Sequence, residues 1–161
     1  MIVLRFPDPR LFSVCSPVTV FGPELKLLLD SMWSTMLAAG GIGLAANQVG
    51  LSFKMFTMEG IDEEKLYIVN PRGLSKSAVP ANLTEGCLSA PGEFLVRSDR
   101  SSWIQIEYQN ELGIYVTRTF KGILSVCVEH EMEHLQGKGF MESTYLPKAK
   151  RVELSKKWGI K

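Results

Sequence analysis

The stretch that most constrains this chain is His130, Glu131, Met132, Glu133 and His134, because it holds the only two histidines in 161 residues. On a helix, four-residue spacing puts both imidazoles on one face, a turn apart and within reach of a single cation. Glu131 is then held beside that cation, where a carboxylate can take a proton from a water on the metal and later return it. The helix itself is predicted from about Gly122 to Gln136, closed by Gly137. Its apolar residues are too evenly spread for a surface helix, so it is expected to be largely buried. That burial, and the absence of any other histidine, argue against two incidental histidines on one helix.

A catalytic site of this kind normally has three protein ligands and one open position. The extended pattern HExxHxxGxxH fails here, since Gly137 sits at the right offset but the last position is Phe140. A glutamate roughly twenty residues downstream is another known solution, and Glu153 is near that offset, although KAKRVELSKKWGIK reads as an exposed basic tail. Cys127 precedes His130 by three residues on the same face. It is seven residues from His134, about 10 Å of helix rise, which is too far for it to share one ion with both histidines. It reads instead as a small buried apolar residue. Cys87 stands in Glu85, Gly86, Cys87, Leu88, Ser89, Ala90, Pro91, Gly92. Glycine on one side and Pro-Gly shortly after predict an irregular, tightly turned backbone, in which an N–H can point at a ligand. A thiolate from that segment can complete a site of one Cys and two His, which leaves Cys87 favoured and Glu153 open.

A third motif is Gly41, Ile42, Gly43, Leu44, Ala45, Ala46, Asn47, Gln48. Its small residues allow close approach of a substrate backbone, and Gln48 offers an amide that can donate to an oxygen. It lacks the third glycine of a dinucleotide loop and the lysine of a P-loop, so phosphate binding is rejected. Other classes fall to composition. With 45% apolar and 22% charged residues the chain is neither disordered nor collagen-like. It is long enough to bury a core without a structural metal, so a metal here is expected to serve chemistry. Eighteen basic and 17 acidic residues give a net charge of +1 and no global reason to expect DNA or an anionic membrane. Cys15, Cys87 and Cys127 are odd in number and form no CxxC pair, which points to a reducing compartment, by default the cytoplasm. MIVLRFPDPR reads as no export signal, and no apolar stretch nears the roughly 20 residues of a membrane span.

Elsewhere, Pro23 to Ala39 is predicted helical, with Leu25, Leu28, Leu29, Met32 and Met36 on one stripe. Strands are predicted over Phe53 to Met58, Leu66 to Asn70, Trp103 to Gln109 and Ile114 to Phe120, the last two around the polar turn Asn110–Gly113. A short helix follows Pro147, carrying Lys148, Lys150, Arg151, Lys156 and Lys157. With no repeat or linker, the expectation is one α+β domain over 1–161. It would have short antiparallel sheets around a buried central helix carrying HExxH, an N-terminal helix and a short C-terminal helix.

GIGLAANQ, EGCLS and HEMEH, in this order and at these separations, resemble the three signature motifs of the peptide deformylases. The resemblance extends to Phe6–Leu11 (FPDPRL), Val69–Pro71 (VNP) and Arg97. It implies a single catalytic domain that removes formyl from the N-terminal formylmethionine of nascent polypeptides, releasing formate. It also implies a divalent metal on Cys87, His130 and His134, ferrous iron in the first place, with zinc or nickel as alternatives. Glu131 becomes general base and then acid, while Gln48 and the Leu88 backbone N–H hold the formyl oxygen as it turns into an oxyanion. Ile42 and Gly43 line the peptide cleft, Val126 and Cys127 shape the methionine pocket, and Glu85 with Arg97 forms a supporting contact. The implied setting is the cytoplasm of a bacterium or of a phage host, with the basic Lys148–Lys157 run either docking on the ribosome or forming a short solvated tail. Two residues depart from the family pattern: Glu129 stands where Gln is usual before the first histidine, and Glu133 where Asp is usual before the second. Both lie outside the ligand set, so altered supporting contacts are expected. The rival readings are an endopeptidase using Glu153 and a non-catalytic binder of formylated peptides.

Overall fold

The structure is a computed structural model and describes residues 1–139 and 146–159. Seven strands and three α-helices appear among them. Strands β1 (Gly43–Ala45), β2 (Met55–Glu59), β3 (Lys65–Lys76), β6 (Trp103–Gln109) and β7 (Tyr115–Lys121) form one antiparallel sheet in the order β1-β2-β3-β6-β7. Strands β4 (Thr84–Cys87) and β5 (Ala90–Val96) form a separate hairpin. Helix α1 spans Pro23–Ala38, α2 Ile123–His134 and α3 Lys148–Trp158.

The two ends of the large sheet differ because different numbers of faces are covered. On β2 and β3, Phe56, Met58, Leu66 and Ile68 pack toward α2, while Met55, Tyr67 and Val69 pack toward Leu25, Leu29, Met32 and Met36 of α1. Covered on both faces, Met55–Met58 of β2 and Leu66–Val69 of β3 are continuous runs of buried residues, as strands between two layers must be, while β3 beyond Val69 is half-buried or exposed. Strand β6 is covered only by α2, so Ile104, Ile106 and Tyr108 are buried while the residues between them are half-buried or exposed. Each such side chain moved out of water contributes about 1.5–3 kcal/mol.

Helix α1 begins at Pro23 as expected, with Glu24 in its first turn. Strand β3 runs six residues past the predicted Asn70. At Asn70 the chain takes a positive φ of 51° and the register against β6 shifts, a kink that propensity alone did not reveal. The short helix expected after Pro147 forms, and it is docked rather than wholly exposed. Leu154 of α3 is fully buried, and Lys157 and Trp158 both hydrogen bond to Glu93 of β5.

The hairpin has its own small core, in which Cys87, Ala90 and Leu95 pack with Phe6, Leu11, Leu146 and Leu154. Segment 85–89 is therefore more regular than expected. It is ladder-paired through Gly86, and the irregularity is confined to a register shift between Gly86 and Cys87 and the turn at Leu88–Ser89. The N-terminal segment ties this hairpin to the GIGLAANQ loop, since Leu4 N–H donates to Gln48 O (2.7 Å) and Phe6 N–H to Ser89 O (3.0 Å).

Candidate metal centre

Helix α2 is buried along the side that carries His130 and His134, and that side faces the end of β4. Cys87 Sγ lies 3.3 Å from His134 Nε2, which lies 3.1 Å from His130 Nε2. All three donor atoms fall within 4.8 Å of one another, on buried residues. Donors converging so closely away from water are stable only with a cation or shared protons among them. One sulfur and two imidazole nitrogens make a set that suits Zn(II) or Fe(II), so the residues present fit a divalent ion.

The tautomer of His130 follows from its other nitrogen. Nδ1 is 2.7 Å from Glu85 Oε2, and a carboxylate only accepts, so Nδ1 carries a proton and Nε2 is the nitrogen aimed at Cys87 and His134. Burial works against ionisation of Glu85, yet hydrogen bonds from His130 and Arg100 outweigh it and hold the carboxyl down at about 2. Burial keeps His134 well below its ordinary value, so it stays a neutral imidazole.

Glu131, on the same helix, lines a cleft of about 500 Å³ together with Cys87 and His130. Burial pushes its carboxyl up to about 7, and its Oε2 has no hydrogen-bond partner among the described residues. The approach is possible because residue 43 is glycine. A Cβ there would stand 2.5 Å from Glu131 Oε1 and 2.6 Å from Cys127 Sγ. Burial raises the Cys127 thiol well above its usual value and its Sγ faces the Ile42 carbonyl at 3.7 Å, the setting of a neutral wall residue.

Gln48 is buried, and its amide has one orientation. Oε1 accepts from Ala45 N–H (2.8 Å), so Nε2 is turned toward Ser89 Oγ (3.2 Å) and Cys87 Sγ (3.6 Å). Leu88 lies in the turn directly after Cys87, and it lines the cleft with Ile42, Gly43, Val126 and Cys127. Strand β1 is an edge strand. Ile42 O accepts from Glu59 N–H on the β2 side, so by alternation the N–H and C=O of Gly43 face the open edge.

The structure gathers most of the sequence-predicted site and rearranges part of it. Glu85 and Arg97 meet only as a 3.8 Å ion pair. Glu85 is instead held by Arg100, through Nε (2.9 Å) and Nη2 (2.8 Å), while Arg97 is spent on Asp99 and Glu133. Arg100 was missed because a lone arginine between Asp99 and Ser101 carries no motif. Glu153 is far from this chemistry, exposed on α3 and paired with Lys150 at 2.8 Å. Glu129 is also outside the donor set, bonded to Lys76 (2.8 Å) and to Ser101 N–H (2.7 Å). Asn47 was passed over too; its Nδ2 donates to Leu11 O (3.1 Å) and to His134 O (2.5 Å).

Residues 1–150 match the family model described as polypeptide deformylase. Over 159 residues the chain is 38% identical to a peptide deformylase of Phenylobacterium zucineum, covering 96% of this chain and 92% of that protein. A peptide deformylase of Hahella chejuensis is 37% identical over 157 residues, with the same coverage. Among solved structures, a peptide deformylase from Legionella pneumophila superposes with a TM-score of 0.86 at 33% identity, covering 98% of this chain and 92% of that one. The enzyme of bacteriophage VP16T, in complex with actinonin, gives 0.79 at 31% identity, covering 85% and 98%.

Proposed function

Because the chain belongs to the polypeptide deformylase family of metal-dependent hydrolases, we propose that residues 1–161 act as one catalytic domain that removes formyl from N-terminal formylmethionine of nascent polypeptides, releasing formate. One observation carries the reading. Three metal donors lie together, and two of them, Cys87 and His130, line one cleft with a buried carboxylate near neutral pH and an amide N–H of fixed orientation. Cys87, His130 and His134 would hold a divalent ion, Fe(II) by preference or else Zn(II) or Ni(II), which when bound polarises the formyl oxygen and acidifies a water.

The chain's own groups do the rest. Gln48 Nε2 and the Leu88 backbone N–H donate to the formyl oxygen as negative charge develops on it, and one such donor is worth on the order of a hundredfold to a thousandfold in rate. Glu131, with its carboxyl near 7, takes the proton of the attacking water and passes it to the departing amine nitrogen. Val126 and Cys127 close around the methionine side chain. Gly43 receives the peptide backbone along the free edge of β1, as an added strand, with Ile42 lining the cleft beside it.

The setting proposed is the cytoplasm, where formylated nascent chains arise; no helix among the described residues is long and apolar enough to cross a membrane. The basic face of α3, with Lys148, Arg151 and Lys156, is proposed to dock on the ribosome.

The test is formate release from a formyl-Met peptide by protein prepared anaerobically with Fe(II), since a thiolate site is open to oxidation. Turnover is expected in the wild type and loss of it in Glu131→Ala. Full activity in that variant overturns the proton-transfer role, and absence of formate from the metal-loaded wild type overturns the function.

A further inference from the structure

Arg100 lies outside all three sequence motifs, yet among the described residues it is one of the largest fully buried side chains. Its guanidinium spans the two elements that supply the metal donors. On one side it grips Glu85, two residues before Cys87 on β4, with Nε and Nη2 on separate carboxylate oxygens. On the other, Nη2 reaches Glu133 Oε2 at 3.0 Å, one residue before His134 on α2. Glu133 is held in turn by Arg97 at 2.7 and 2.9 Å.

We propose that Arg100 is the positioning residue of this metal centre: by clamping Glu85 and Glu133 together it fixes the His130 imidazole and the spacing of Cys87 from the two histidines. The physical argument rests on shape. A carboxylate with one partner rotates about its terminal torsion, whereas a two-point guanidinium grip sets its plane. With the plane of Glu85 set, Oε2 stays aimed at His130 Nδ1 and holds the opposite nitrogen on the shared site. Glu133 has the extra methylene that an aspartate would lack, and with it one carboxylate serves both Arg97 and Arg100.

This inference rests on the metal-site reading, so its test reads metal binding directly. The full chain is stripped of metal and titrated with Co(II), following the visible d–d bands and competition with a chelator. Arg100→Met is expected to weaken Co(II) on the order of tenfold to a hundredfold and to shift the bands, with kcat reduced more than KM is changed. A merely structural role would leave the bands of the folded fraction where they are. Folded Arg100→Met with wild-type affinity and spectrum overturns the proposal. Should Arg100→Met fail to fold by circular dichroism, Arg100→Lys decides. It keeps the charge but not the two-point grip, so an intermediate loss is expected. Either wild-type binding or a failure to fold in Arg100→Lys overturns the positioning role. If Cys87→Ser and His134→Ala also keep Co(II), the metal-site reading itself has failed; if they lose it while the Arg100 variants do not, only this inference has.

Discussion

Gly43→Ala separates the stability of this protein from its chemistry. Residue 43 has no left-handed φ and sits in strand β1, so alanine meets no backbone obstacle. The obstacle is ahead of it, where the new Cβ would stand 2.5 Å from Glu131 Oε1 and 2.6 Å from Cys127 Sγ. Restoring an ordinary contact near ~3.5 Å requires the carboxylate and the thiol each to retreat by about 1 Å. Overpacking of this kind costs about 1–3 kcal/mol, against which alanine returns about 0.4–1 kcal/mol by restricting the unfolded chain. The net loss of about 0–2.6 kcal/mol corresponds to a fall in Tm of at most roughly 10 °C for a chain this long. The chemical penalty is far larger, because a misplacement of about 1 Å in a reacting group costs on the order of a hundredfold. Calorimetry and initial rates on a formyl-Met peptide should therefore show a folded protein that still retains its metal, with kcat down by about two orders. Wild-type kcat in folded Gly43→Ala would refute the placement of Glu131 as the proton carrier.

Gln48→Ala should lower kcat on the order of a hundredfold or more while leaving metal content intact, because on the proposed mechanism the variant loses an oxyanion donor and no ligand; unchanged kcat removes Gln48 from the mechanism. Asn70→Ala should do the opposite. It loses hydrogen bonds to Val18 N–H, Val18 O and Gln109 and puts alanine at a φ of 51°. That is a cost of about 3 kcal/mol, seen as a Tm fall of roughly 6–12 °C with kcat per folded molecule unchanged. Hydrogen bonds from Lys26, Lys65 and Tyr67 hold the Asp30 carboxyl below its ordinary range. Its stabilisation is therefore complete above its unfolded pKa of about 4 and is lost as pH falls through the folded value. The Tm difference between wild type and Asp30→Asn should shrink on acidification below about pH 4, and a constant difference would refute the linkage.

What was legible in the sequence was what repeats or stands in a motif. The stripe of Leu25, Leu29, Met32 and Met36 places α1, and the alternation of Ile104, Ile106 and Tyr108 places one face of β6, because periodic burial leaves a periodic pattern. Cys87, His130 and His134 announce themselves by residue type. Arg100 and Asn47 do not. Each works through a partner more than ten residues away in the chain, and no local pattern distinguishes a buried arginine from a solvated one. The same holds for Asn70, whose kink in β3 is fixed by bonds to Val18 and Gln109.

These unannounced residues share a task. The three parts of the site belong to three separate apolar clusters: α2 packs through Cys127 and Val128 into one, the Gln48 loop through Leu44 and Ala46 into a second, and Cys87 with the hairpin into a third. Close packing fixes distances within each cluster, yet it is non-directional and sets no bearing between one cluster and the next. A metal site and an oxyanion donor need that bearing to within a fraction of an ångström. Directional bonds supply it here. Asn47 joins the Gln48 loop to Leu11 and to the His134 carbonyl, Leu4 and Phe6 tie Gln48 to Ser89, and Arg100 joins Glu85 to Glu133. Buried polar groups that cost desolvation are thus placed at the seams between clusters. Disturbing a seam should then lower metal affinity or kcat before it lowers Tm in proportion, whereas trimming Leu29 or Ile106 inside a cluster should do the reverse.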